Sequence, residues 1–157
     1  MKKMNHCTML GALFLAATTT MTGMASADGH GDAGEIADVL RSYEGFVNDG
    51  DATGLGSLYT EDAVLLPDRF DVFEGNEAIT GFYAFAFSAL TLELEFQIDP
   101  DDIVVDGGTA YATTSSTGTR FIKEANQTVP EINRELWVFE RVDDAWKIAR
   151  YAFNKSE

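Results

Sequence analysis

Thr91-Leu92-Glu93-Leu94-Glu95-Phe96-Gln97-Ile98 (residues 91–98) sets a polar side chain against an apolar one at every step. That period of two marks an antiparallel strand with one face on a core and the other in water. The pattern returns downstream. Pro100-Asp101-Asp102 breaks the chain before Ile103 to Val105, and Asp106-Gly107-Gly108 makes a hairpin turn. Thr109 to Lys123 is a long strand rich in Thr and Ser, and a looser piece runs to Pro130. Strands from Glu131 to Val142 and from Trp146 to Asn154 follow, joined by the tight turn Asp143-Asp144.

Upstream of residue 91 the period is that of a helix. Ile36, Val39, Leu40, Tyr43 and Val47 form one stripe on a helix from Glu35 to Asn48, with Phe46 beside it. Gly50 supplies a left-handed cap, and Asp51 caps a second, short helix reaching about Tyr59. Glu61-Asp62 turns into a strand, Ala63 to Leu66, which Pro67 interrupts. A third helix, Glu77 to Ala89, is apolar nearly all round, as a helix covered on more than one side should be. It either fills a core, lids a pocket or meets a partner. Helices grouped ahead of a meander define an α+β domain, with a curved antiparallel sheet packed against three N-terminal helices. Where such a sheet bends into a cone, its mouth is the natural ligand site.

The first 27 residues read as a secretory signal peptide. Lys2 and Lys3 precede the apolar run Met9 to Ala17, and Ala25-Ser26-Ala27 offers a cleavage site before Asp28. The run is shorter than the roughly 20 residues that span a bilayer. A flexible stub, residues 28–34, then leads into one domain, residues 35–157. The expected location is periplasmic or secreted. Cleavage would remove Cys7, the single cysteine, and one of the two histidines, leaving His30 in the stub. No metal site and no cofactor are expected from what remains. The formal net charge of −15 includes Lys2 and Lys3, so the mature chain is more acidic still. Phosphate backbones and anionic lipid surfaces repel such a protein, which excludes nucleic acid and membranes as partners.

Four segments resemble SnoaL-like and ketosteroid isomerase-like domains of the nuclear transport factor 2-like superfamily. They are Tyr43 with Asn48-x-Gly50-Asp51, Leu58-Tyr59-x-Glu61-Asp62-Ala63-Val64, Gly75-Asn76-Glu77-Ala78-Ile79, and the hairpin from Trp137 to Ile148. The resemblance implies a cone-like, cystatin-like roll and a homodimer through the open sheet face. It also allows the chemical positions to be tested singly. The isomerase's oxyanion-binding tyrosine falls on Tyr43. Its general base falls on Pro67, with Asp68 one residue out of phase. Its protonated aspartate falls on Leu136 or Trp137, with Glu135 adjacent. A one-residue slip on a strand turns a side chain to the other face, so steroid isomerisation is disfavoured.

The candidate catalytic residues are therefore Tyr43, Asp68 and Glu135. The candidate lining of the pocket is Tyr43, Tyr59, Leu66, Phe70, Phe82, Phe85, Arg120, Trp137, Tyr151 and Phe153. Arg150 and Asn154 are further polar groups that could face inward, while Arg120, Arg134 and Arg150 could instead pair with Glu135 or Glu140 across strands. Thr114-Ser115-Ser116-Thr117 reads as a β-prone strand at a solvated or dimer-facing surface. Three functions fit: a binder of a small, mostly apolar molecule; a cofactor-free acid–base enzyme (isomerase, cyclase or hydratase); or a structural dimerisation module with a filled pocket.

Overall fold

The structure is a computed structural model that describes residues 29–156, so the expected signal peptide and Cys7 lie outside the described residues. Three helices come first: α1 (Gly29–Asp49), α2 (Ala52–Ser57) and, after strands β1 (Tyr59–Leu66) and β2 (Phe73–Glu74), α3 (Asn76–Ala89). The meander follows as β3 (Leu90–Gln97), a 3-10 turn at Pro100–Asp102, β4 (Ile103–Asp106), β5 (Thr109–Ile122), β6 (Gln127–Val142) and β7 (Ala145–Lys155). They form one curved sheet in the order β2-β1-β7-β6-β5-β3, with β4 also paired to β5.

The α+β architecture expected from the patterning is present, with one correction. The sheet is mixed, because β1 runs parallel to β7 while every other pair is antiparallel. The chain returns from β1 to β7 only after α3 and the whole meander, so no hairpin fixes their relative direction. The expected flexible stub is also corrected. Residues from Gly29 on belong to α1, where Ala33 is buried and the Asp32 carboxylate meets Arg141 and the Trp146 indole N–H. A helical turn with such docking partners is held to the sheet. Residues 59–62, read as helix end and turn, are the start of β1. The looser piece before Glu131 is strand from Gln127, turned at Asn126, which takes a positive φ.

The core sits between α1 and the concave face of the sheet. Ile36, Ala37, Leu40 and Tyr43 are buried against Trp137, Phe139, Ile148 and Tyr151. The outer edge of β3 has no strand beside it, and α1 takes that place. The Asn48 side chain donates to the Leu94 carbonyl and accepts from the Leu94 N–H, both at 2.8 Å, and Glu44 accepts from the Phe96 N–H. The edge is thereby closed to strand addition. Across from it Gly118 pairs with Leu94 where the two strands approach closely, and a Cβ there would collide with the Glu93 carbonyl. Gly118→Ala should therefore lower stability by about 2 kcal/mol, seen as a lower urea midpoint with an unchanged slope. Unaltered stability would mean that β3 and β5 are spaced more widely than described.

Candidate functional site

The bend of the sheet leaves a cavity of about 240 Å³ between α3 and the ends of β3, β5, β6 and β7. Its walls are mostly apolar, with Phe82 and Ala86 from α3, Leu92 and Phe96 from β3, and Phe153 from β7. Helix α3 thus does two jobs: Ile79 and Tyr83 enter the core, and the neighbouring face lids the cavity. Phe70 and Phe85 line it too but stand 60% and 68% exposed, forming an aromatic rim. Phe82 joins rim to wall, at 5.6 Å from Phe70 and 4.7 Å from Phe73 between ring centroids.

Two polar groups of side chains border this space. The first is a chain of phenols. The Tyr83 hydroxyl lies 2.9 Å from that of Tyr43 and 2.8 Å from that of Tyr59. Burial pushes all three upward from the ordinary phenol value. Tyr83 rises to about 12, restrained by its two hydrogen bonds, while Tyr43 and Tyr59 are raised by burial and then by the neighbouring phenols. Each oxygen carries one proton, so Tyr59 can donate to Tyr83 and Tyr83 to Tyr43. In that order the Tyr43 proton is left for Tyr151, which packs beside it, or for a group in the cavity; the reverse order is equally available.

The second group is a charged row across three strands at the other part of the wall. Lys155 on β7 sits 3.0 and 3.1 Å from the two Glu131 oxygens on β6, and Arg120 on β5 approaches Glu131 at 3.4 Å. Asn133, one inward position along from Glu131, also faces the cavity, as does Asp68 in the loop after β1.

Behind this wall lies Glu135. Its oxygens accept from Thr114 Oγ1 at 2.8 Å and Ser116 Oγ at 2.6 Å. Those hydroxyls are oriented in turn by the Trp137 indole N–H and the Asn133 amide. Burial raises the Glu135 pKa above the usual carboxylate value, and the two hydroxyls partly offset that rise.

Seven of the ten expected lining residues border the cavity: Tyr43, Phe70, Phe82, Phe85, Arg120, Tyr151 and Phe153. Three do not. Leu66 points to the opposite face of β1 from buried Leu65, because side chains alternate along a strand. Tyr59 stands behind Tyr83, and Trp137 is fully buried with its ring stacked 3.6 Å from Tyr151. Of the candidate catalytic residues, Tyr43 and Asp68 both line the cavity, Asp68 paired with Arg69 at 3.3 Å, whereas Glu135 is buried behind its wall. Asn154 is exposed, and Arg150 bonds the carbonyls of Asp62 and Ala149. Arg120 pairs with Glu131, not with Glu135 or Glu140. The Thr/Ser strand is only half a surface, since Thr114 and Ser116 turn inward to hold Glu135. Not foreseen were the apolar walls Ala86, Leu92 and Phe96 and four polar lining residues, Tyr83, Glu131, Asn133 and Lys155. The period of two carried a signal for Glu131 and Asn133, which share a face with Glu135 and Trp137, and for Leu92 and Phe96 on the apolar face of β3.

A concave mixed sheet covered by three helices, with an apolar cavity and a tyrosine on the first helix, defines the class. The family model for the SnoaL-like domain matches residues 31–152, and the chain belongs to that family. Solved structures agree on the fold. A ketosteroid isomerase-like protein from Erwinia carotovora atroseptica SCRI1043 is 20% identical with a TM-score of 0.76, covering 80% of this chain and 97% of its own. A conserved protein from Planctomyces limnophilus DSM 3776 is 21% identical with a TM-score of 0.71, covering 81% and 99%. A nuclear transport factor 2-like superfamily protein from Salmonella enterica serovar Typhimurium LT2 is 19% identical with a TM-score of 0.70, covering 80% and 91%. No curated protein matches the sequence.

The raised Glu135 pKa has a stability consequence whose sign is fixed. The folded state holds this proton more tightly than the unfolded chain, so the associated stability is complete below the ordinary carboxylate value and is lost as pH rises through the raised one. Glu135→Gln should flatten that part of the profile, measured by urea unfolding from pH 4 to 8. An identical slope in both proteins would show that Glu135 is as well solvated as an exposed carboxylate.

Proposed function

We propose that this protein binds one small, mostly apolar molecule in the cavity between α3 and the concave face of the sheet. The supporting observation is the cavity itself, an aromatic-walled hollow left open behind the rim of Phe70 and Phe85. A filled-pocket module needs the same volume taken up by side chains, and it is not. The proposed setting is periplasmic or secreted, on the strength of the leader-like pattern from Lys2 to Ala27. The proposed assembly is a homodimer through the outer sheet face, where Tyr111, Ile132 and Leu136 are exposed large apolar residues.

A second reading is favoured by one specific feature: Tyr43 and Asp68 line the same cavity. In a cofactor-free acid–base enzyme, Asp68 would accept a proton from the substrate and Tyr43 would donate a hydrogen bond to the oxyanion that develops. Glu135 does not line the cavity and takes no part in this reading.

A thermal-shift screen of small aromatic and alicyclic metabolites tests the first reading. A ligand at a hundred times its Kd adds about 2.7 kcal/mol to stability and should raise Tm by several degrees. Ala86→Trp, which fills the cavity from α3, should abolish that rise. No stabilising compound, or an equal shift in the filled variant, would contradict the proposal. Mass spectrometry of the recovered hit then separates the two readings. An unchanged compound marks a binder, and a rearranged or hydrated product formed by the wild type but not by Asp68→Asn marks the enzyme.

A further inference from the structure

Among the described residues, three buried side-chain polar atoms lack a hydrogen-bond partner: Asp68 Oδ2 and Arg120 Nε, which have only ion-pair contacts with Arg69 at 3.3 Å and Glu131 at 3.4 Å, and Asn133 Oδ1, which has neither. All three belong to residues that line the cavity. Unmade hydrogen bonds are costly in a protein interior, and their collection in one place marks where an incoming group would be bound.

The local chemistry explains why two of them are open. Asn133 is 6% exposed and its amide cannot turn over. The single Ser116 hydroxyl proton goes to Glu135, so Ser116 accepts from Asn133 Nδ2 at 3.2 Å, and Oδ1 is left on the cavity side. Arg120 Nε is left open for a different reason. Lys155 holds both oxygens of Glu131, and Arg120 reaches that carboxylate only at ion-pair range. One open donor and one open acceptor therefore flank Glu131.

Only some chemical groups suit that pair. A carboxylate would accept from Arg120 but would set lone pairs against Asn133 Oδ1 and add negative charge beside Glu131 and Asp68. An ammonium would stand beside Arg120 and Lys155. A ketone accepts but cannot donate. A hydroxyl does both. We propose that the ligand is an alcohol or phenol carried on an apolar ring system, with its hydroxyl between Arg120 Nε and Asn133 Oδ1 and its rings against Phe82, Leu92 and Phe96. This rests on the cavity being a ligand site, as proposed above, and adds the ligand's polar group.

The test is a titration of the purified protein at pH 7 with three probes that share one ring system: 2-naphthol, naphthalene and 2-naphthoate. The expected result is 2-naphthol bound about tenfold or more tighter than either of the others. Arg120→Met leaves the Asn133–Ser116 bond intact and should reduce that preference to about twofold while naphthalene affinity holds. Asn133→Leu should do the same, and its naphthalene affinity reports that the cavity has kept its shape. Equal binding of naphthol and naphthalene would overturn the hydroxyl site and leave the cavity reading standing. Tightest binding of naphthoate would assign Arg120 and Lys155 to an anion and likewise overturn it. A naphthol preference that survives both substitutions would place the hydroxyl elsewhere. Binding of none of the three would remove both proposals together.

Discussion

The packing of three rings, Tyr43, Trp137 and Tyr151, decides how much space this fold encloses. Trp137 and Tyr151 are cross-strand partners on β6 and β7 and lie nearly parallel, 5° apart. Tyr43 stands edge-on to both, 4.9 Å from Trp137 and 5.4 Å from Tyr151 between centroids. Edge-to-face contact suits the ring quadrupoles, and the arrangement pins the middle of α1 to the centre of the concave face. On one side of that contact the sheet and helices close into solid core around Ile36, Leu40 and Phe139. On the other, α3 arches over strands that have already bent away, and the hollow lies beneath it.

The hollow's boundary joins apolar walls to a small number of fixed polar groups. Phe82, Leu92 and Phe96 give it an apolar wall. The phenols of Tyr43, Tyr83 and Tyr59 bond one another, so three polar atoms are buried at modest cost. At the charged row the same logic holds less completely. Glu131 is neutralised by Lys155 and Arg120 together, while Glu135 sits deeper, held by hydroxyls whose direction is set by Trp137 and Asn133. Two carboxylates four residues apart on β6 thus have different neighbours: one faces cations at the cavity wall, the other faces alcohols behind it.

The architecture was legible wherever side-chain periodicity was strong. The alternation from Thr91 to Ile98 and the stripe through Ile36, Leu40 and Tyr43 each translate directly into an element and a buried face. The parallel pairing of β1 with β7 was not legible, because no local residue specifies the partner of a strand that lacks a hairpin. The helical start of α1 was hidden as well. Gly29, Gly31 and Gly34 argue against a helix locally, and what holds the segment is the distant pair Arg141 and Trp146 on Asp32. The candidate site was legible in its aromatic part and much less in its polar part. Leu66 failed by one step of alternation, and Glu135 was placed on the right face but at the wrong depth. Lys155 carried no signal, since its role exists only once β7 is paired to β6 opposite Asn133.

Xenon binding in a crystal tests the central claim most directly, since the gas enters apolar hollows without needing the correct ligand. The account predicts electron density for xenon in the space bounded by Phe82, Leu92 and Phe96, beneath α3. Side chains closed over that space, with xenon absent from it, would contradict the account.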